Sequence, residues 1–413
     1  MQPLTLSPHR ARRALTAGAL VPLAAIVAAG CGSTTAKGGT STGSSEVASA
    51  KTSAGKVTCT SPAGAKGPGV GTKAIGFIYV GATTDVGYNQ AAHDGALALR
   101  KSCPKVKILE ADNIPETADL TRVAEQMIGQ GAKIIFTTSY GYKDFAVKLA
   151  KAHPDVAVLQ QGNFIDGQVP PNVDTYFGNV YETVYLGGIA AAKATKSKKL
   201  GFIAAFAIPQ TLVNINAFEL GAQSVDPTIT TNAVFVGDWC DPGKQSDAAR
   251  SLLASGVDVV SQHQDCTGTI VKTTEAKGAS SVGYHYDAEK LAPKGWLTGS
   301  EWDWAPLYGA LTTSIMNGKF TSSPFKGNYT VGFSGGEVPS PMKLAPFGPS
   351  VADSTKAEVE KAKKAILGGR SPFTGPVVDK SGKVQVAQGA SATSKQIATM
   401  NFLVKGAKGS LPK

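Results

Sequence analysis

From Lys73 onward the chain alternates two hydrophobic rhythms. Ala74–Val80 (AIGFIYV) is a continuous β-rich apolar run, whereas Tyr88–Ser102 sets Ala92, Ala96 and Leu99 on one face at helical spacing, and Val106–Glu110 is apolar again. Ala118–Gln130 then predicts a helix with Leu120, Val123, Ala124, Met127 and Ile128 inward, followed by a strand at Lys133–Thr137, a helix at Asp144–His153 and a strand at Val156–Gln160. Apolar strands separated by amphipathic helices imply a parallel sheet covered on both faces. After the Ala- and Gly-rich helix Thr183–Ala194 the rhythm restarts. Strands are expected at Leu200–Phe206, Asn232–Val236, Val257–Gln262, Ser281–Tyr286 and Leu297–Ser300, and helices at Ile215–Ser224, Ser246–Ser255 and Gly268–Lys277. Two successive sheets predict two lobes. Ala305–Gly318 and the segment to Pro349 are expected to cross between them, Ser354–Leu367 is a last amphipathic helix, and Asp379–Gly382 between valine-rich flanks reads as a hairpin turn.

The chain ahead of this pattern is of another kind. Met1–Arg13 carries Arg10, Arg12 and Arg13 with no acid, and Ala14–Ala29 is an apolar run of signal-sequence length, too short for a membrane span. It ends in Ala28-Ala29-Gly30-Cys31, similar to the bacterial lipobox, in which the leader is cut before a cysteine that receives lipid. Ala28 stands where Leu or Val is usual, and a plain export signal with a free thiol is the alternative. Gly32–Gly71, rich in Ser, Thr, Gly, Ala and Lys, reads as a flexible tether. The expected organisation is a leader with lipobox over 1–31, a tether over 32–71, a first lobe of 72–182 with about 304–328, and a second lobe of 198–303 with about 329–413. The 413 residues accommodate two domains of ordinary size.

Five cysteines are an odd number for an exported chain. With Cys31 lipidated four remain, one pair in each half, and Cys59–Cys103 with Cys240–Cys266 is the expected pairing, although the sequence allows three connectivities. The net charge is +11, and the leader, with three arginines and no acid, leaves +8 when removed. Lysines are scattered singly, which argues against nucleic acid and is compatible with an anionic envelope.

Several enzyme-like strings do not survive inspection. Gly332–Gly336 (GFSGG) has the spacing of a nucleophile elbow, but Pro339 and Pro341 follow where a helix must start. Gly237–Lys244 (GDWCDPGK) lacks phosphate-loop spacing and has Gln245 in place of Ser or Thr, and Gly67–Gly71 precedes the first strand instead of following it. His263 and His285, with Asp265 and Asp287 two residues on, are better read as polar cleft lining than as zinc ligands. No metal, cofactor or catalysis is expected.

Large side chains instead gather where strands end. Asp85–Asn89, Tyr140, Phe206, Gln262–Asp265 and Tyr284–Asp287 follow successive strands, and Trp239, Trp296, Trp302 and Trp304 share one 66-residue window. Ligands of doubly wound sheets bind beyond such ends. Aromatic rings with amides and carboxylates suit a flat solute that hydrogen bonds along its edge.

The segments Ile75–Gly95 (IGFIYVGATTDVGYNQAAHDG), Thr117–Tyr140, Tyr176–Gly188 (YFGNVYETVYLGG), Gly201–Ser224 and Leu344–Pro349 (LAPFGP) resemble, in order and over roughly Lys73 to Val386, the basic membrane protein family of substrate-binding lipoproteins. The resemblance implies an α/β type I periplasmic-binding-protein fold with two doubly wound lobes, a hinge and a ligand cleft between them. It also implies a lipid anchor on the outer face of the cell membrane, and partners in an ABC permease and its ATPase. Characterised relatives take purine nucleosides or nucleobases. Asp85 and Asn89 match the polar positions after the first strand, Tyr140 the loop after the third, and Phe206 the aromatic that stacks on the base. The nucleoside binders add an Asp near Gly283 and a Lys near Ser300 for the ribose. Here Asp287 keeps one acid, whereas Glu301-Trp302-Asp303-Trp304 has no Lys, which tilts the expectation towards a bare base such as adenine, with nucleosides second. The candidate ligand-binding set is Asp85, Tyr88, Asn89, Tyr140, Phe206, Trp239, Gln262, Asp287 and Trp302. Two other classes remain open: a receptor that reports the ligand to a membrane partner, and an exported nucleoside hydrolase, for which no base and nucleophile are convincingly placed.

Overall fold

The computed structural model describes residues 56–411 apart from Asn163 and Gln168, so the leader, Cys31 and the tether up to residue 55 lie outside the described residues. Strands Ala74–Tyr79 (β1), Lys107–Ala111 (β2), Ala132–Thr138 (β3), Ala157–Gln161 (β4) and Val173–Gly178 (β5) alternate with helices Tyr88–Ser102 (α1), Asp119–Gly129 (α2) and Lys143–Ala152 (α3). Every residue of β1 is buried, as in a strand with helices on both sides. The apolar stripe Leu120, Val123, Ala124 and Met127 turns α2 inward.

The second series begins with helix Tyr181–Ala194 (α4). Strands Lys199–Ala204 (β6), Thr230–Phe235 (β7), Val259–His263 (β8), Ser280–Gly283 (β9) and Trp296–Trp302 (β10) alternate with Pro209–Gln223 (α5), Pro242–Ala254 (α6) and Gly268–Ala276 (α7). Ala305–Met316 (α8) and Asn328–Val331 (β11) then return to the first lobe, where α8 packs on α1 and β11 pairs with β5. Met342–Leu344 (β12) joins the second sheet antiparallel to β10, and Asp353–Leu367 (α9) packs on α4. Val377–Val378 (β13) and Val384–Val386 (β14) form the hairpin, followed by Ser394–Ala398 (α10) and Ala407–Lys408 (β15).

The first sheet has the order β11-β5-β4-β3-β1-β2, all parallel. The second runs β12-β10-β9-β8-β6-β7-β15, parallel except for its β12 edge. The chain passes between lobes three times, from β5 to α4, from β10 to α8 and from β11 to β12. Helices α4 and α5 approach closely because Gly188 and Gly221 face the carbonyls of Phe218 and Tyr185, where a Cβ would collide. Asp241 starts α6 by accepting from Lys244 N at 3.0 Å, with Pro242 in the first turn.

Four boundaries differ from the sequence expectation. Residues 56–71, placed in the tether, are docked on the first lobe: Cys59 is bonded to Cys103, Thr58 N donates to Thr313 Oγ1, and Gly69 lies against Ile315, Ala157 and Ile134. The return to the second lobe comes after β11, not at 328–329, because residues 328–331 complete the first sheet. Helix α5 starts at Pro209 instead of Ile215, as proline is welcome in a first turn. Strand β9 stops at Gly283 because His285 has φ +70°, outside the β region. Cys240 is bonded to Cys266.

Candidate ligand cleft

The carboxyl ends of both sheets face each other, and the loop between β1 and α1 forms the seam. Asp85 closes the first turn of α1 by accepting from Asn89 N at 3.1 Å and Gln90 N at 3.0 Å. Val86 takes φ +52°, unusual for a β-branched residue, and so offers its carbonyl to Thr267 Oγ1 of the second lobe at 2.7 Å. Tyr88 N donates to Asp265 O at 3.2 Å. Gly87 lies against that same carbonyl of Asp265, where a Cβ would overlap it. Gln90 Nε2 donates to Tyr286 OH at 3.1 Å, and that hydroxyl donates to Asp94 Oδ2 at 3.2 Å. The lobes thus touch each other along this seam, in a closed arrangement.

Beneath this seam lies a chamber of about 10 Å³ walled by Tyr88, Ser139, Tyr140, Phe177, Gln210, Trp239, His263, Asp265 and His285. A space of that size holds roughly one water. A larger cavity of about 300 Å³ shares Tyr140, Phe177 and Gln210 with it and extends towards the crossing at Gly178–Tyr181, between Asn328–Thr330 on one side and Val213, Asn214 and α10 on the other. That volume is at the lower end of small-molecule sites. Together they make one cleft between the lobes.

The deep end is polar but held uncharged. Burial pushes His263 down to about 3, and burial followed by the neighbouring His263 holds His285 well below the ordinary imidazole range. Asp265 is pushed well above the usual carboxylate range by burial and then by Asp85. Asn214 Nδ2 donates to His263 Nδ1 at 2.9 Å and to Tyr284 OH at 2.8 Å, and Trp302 Nε1 donates to His285 Nδ1 at 2.8 Å. Trp302, Trp304 and Tyr308 stack in series across the β10–α8 crossing, with ring centroids 4.5 and 5.9 Å apart. Among the described residues no three His, Cys, Asp or Glu side chains converge to hold a metal ion.

Of the sequence candidates, Tyr88, Tyr140 and Trp239 are brought to the chamber wall. Asp85 and Asn89 stand just behind it: Asn89 donates to Asp85 at 2.8 Å and to Asp265 at 3.4 Å, and accepts from Gly81 N. Phe206 packs edge-on against Trp239, with centroids 5.1 Å apart, and Trp302 supports His285 from behind, so both sit one layer away from the wall. Gln262 donates to Thr267 O, and Asp287 caps the turn at Glu289 N, so neither lines the cleft. Phe177, Gln210 and Asn214 escaped the sequence reading. Phe177 is the residue before the last of β5, a strand whose buried Asp174 and Thr175 disguise it, while Gln210 follows Pro209 in a helix that starts ahead of the apolar run beginning at Ile215.

Gly332–Gly336 lies in the third crossing, between β11 and β12 and with no helix after it, which removes the nucleophile-elbow reading. Residues 72–329 match the model of a family described as ABC transporter substrate-binding protein, PnrA-like. This chain belongs to that Bmp family. A purine-binding protein of Brucella abortus is 34% identical over 82% of this chain and 93% of its own length. A putative glucose-binding protein of an ABC transporter in Haloferax volcanii is 29% identical over 73% and 74%. Among solved structures, a solute-binding protein of an ABC transporter system from Aeropyrum pernix superposes with a TM-score of 0.61 at 17% identity, over 72% of this chain and 91% of that one, a likeness of fold. The Bmp chain is therefore an α/β periplasmic-binding-protein fold of two parallel-sheet lobes, a solute-binding component of an ABC transporter and a member of a binding-protein family, not an enzyme family. Among the described residues no helix is long and apolar enough to cross a membrane.

Proposed function

We propose that this Bmp protein captures a purine base or nucleoside between its lobes and delivers it to the permease of an ABC importer, held on the outer face of the cell membrane by lipid on Cys31. The observation that carries the reading is the wall of the cleft: the rings of Tyr88, Tyr140, Phe177 and Trp239 surround hydrogen-bonding groups that burial keeps neutral. Flat faces for stacking and a short row of polar atoms for the edge are what an uncharged heterocycle requires. The purine-binding relative spans most of the chain, which supports the same ligand class.

Three crossings and an apposed seam support capture by hinge closure: the ligand docks on one lobe and the other rotates over it. The test is mass spectrometry of ligand carried through purification of the full chain, followed by calorimetric titration with adenine, guanine, hypoxanthine, their nucleosides and glucose. A purine found bound, and micromolar or tighter titration, supports the reading. Glucose binding without purine binding refutes it.

A further inference from the structure

An indole N–H donates and never accepts. Trp302 gives its proton to His285 Nδ1 at 2.8 Å, so that nitrogen is the bare one, and in a neutral imidazole the proton then sits on Nε2. Nε2 of His285 is buried and has no partner in the protein, and the same holds for Nε1 of Trp239. Both side chains line the strand-end chamber. Buried donors without acceptors are rare in native proteins and costly unless something else satisfies them. The backbone singles out one of them as well, since His285 is held in the left-handed region, which favours glycine.

We propose that, with the lobes parted beyond this arrangement, in which the chamber has room for about one water, His285 Nε2 and Trp239 Nε1 form a donor pair that reads the O6 and N7 edge of a 6-oxopurine, with Trp302 as the positioning residue that fixes the donor form of His285. The inference rests on the purine reading above. O6 and N7 are adjacent acceptors, whereas a 6-aminopurine presents a donor beside N7 and would set N–H against N–H. The N1–H that accompanies O6 requires an acceptor, and the carboxyl of Asp265 on the same wall carries one in either protonation state. No Lys or Arg lines the chamber among the described residues, and Lys395 lines only the larger cavity, so the chamber itself offers no cation to a phosphate or carboxylate on the ligand. Hypoxanthine, guanine and their nucleosides therefore rank ahead of adenine, the base favoured by the sequence alone.

Calorimetric titration of the full chain tests this. Hypoxanthine is expected to bind about 10- to 100-fold more tightly than adenine. Trp302→Phe keeps an aromatic ring beside Trp304 but frees His285 to change tautomer, and should reduce that ratio to about threefold or less while the protein stays folded. If Trp302→Phe does not fold, the imidazole ¹⁵N spectrum of the unmodified protein decides, with protonated Nε2 and bare Nδ1 expected for His285. Adenine binding as tightly as hypoxanthine, an unchanged ratio in Trp302→Phe, or a proton on Nδ1 overturns the donor pair and leaves the purine reading intact. Binding of no purine at all overturns both.

Discussion

Glu219 has no exposed surface, and burial pushes its carboxyl up to about 7 even though Thr231 Oγ1 and Gln223 Nε2 each donate to it at 2.6 Å. Asp174 shows the same order of effects, raised to about 6 by burial although Lys326 lies 2.6 Å away. Desolvation of the charged form outweighs these partners. Because folded Glu219 holds its proton more tightly than the unfolded chain, its contribution to stability is complete below about 4.5 and is lost as pH rises through about 7. The loss is on the order of 3 kcal/mol. Glu219→Gln, which can still accept from Gln223 and donate to Thr231, should raise the unfolding midpoint at pH 8.5 and leave it almost unchanged near pH 4.5. Chemical denaturation at both values is the check, and equal effects at the two would refute the assignment. Residues of this kind explain what the sequence could and could not disclose about the site. Tyr88, Tyr140 and Trp239 stand at strand ends and reach the wall, but an acid such as Asp85 or Asp287 looks the same in sequence whether it caps a turn or meets a ligand, and here each is engaged by backbone N–H groups.

Elements buried on both faces were the most legible. Strands β1, β3, β4, β6 and β8 read as apolar runs because helices cover each side, and α1 and α9 have clear stripes. Strand β5 was missed because Asp174 and Thr175 face the interior, and β15 because two residues carry no periodicity. The pairing of β11 with β5 joins segments some 150 residues apart, which no local pattern encodes. The loops after β7 and β8 are a case where an element depends on a covalent tie. Cys240–Cys266 joins them next to Trp239 and Asp265, two walls of the chamber, and Asp265 N donates to Trp239 O at 2.9 Å. Replacing both cysteines by serine should cost ~3 kcal/mol of stability for a closed loop of this length. It should also weaken ligand binding by more than the same change at Cys59–Cys103, which ties residue 59 to the end of α1, away from the cleft. Titration of the two double variants at a temperature where both are folded checks this, and equal affinities would count against a role for the second disulfide in holding the wall.

At the scale of the whole molecule, the proposed capture by hinge closure requires that the closed arrangement be reachable and reversible, and the seam bears on that balance. Thr267 Oγ1 to Val86 O, Tyr88 N to Asp265 O, Asn89 Nδ2 to Asp265 Oδ2, Gln90 Nε2 to Tyr286 OH and Tyr286 OH to Asp94 Oδ2 are hydrogen bonds between the lobes along the seam, each worth about 1 kcal/mol net. A ligand bridging both walls can therefore shift the balance between open and closed forms. Closure also demands that two stretches of backbone touch at Gly87, where no side chain can be tolerated against the carbonyl of Asp265. Gly87→Ala leaves each lobe's own core untouched, because the clash exists only when the lobes meet. The variant should keep its unfolding midpoint within a few degrees, lose about 10- to 100-fold in ligand affinity, the equivalent of a 1–3 kcal/mol steric penalty, and show no ligand-induced fall in radius of gyration by small-angle scattering. Compaction and affinity equal to the unmodified protein would mean that the ligand-bound state does not bring Gly87 against Asp265, and that closure follows another seam.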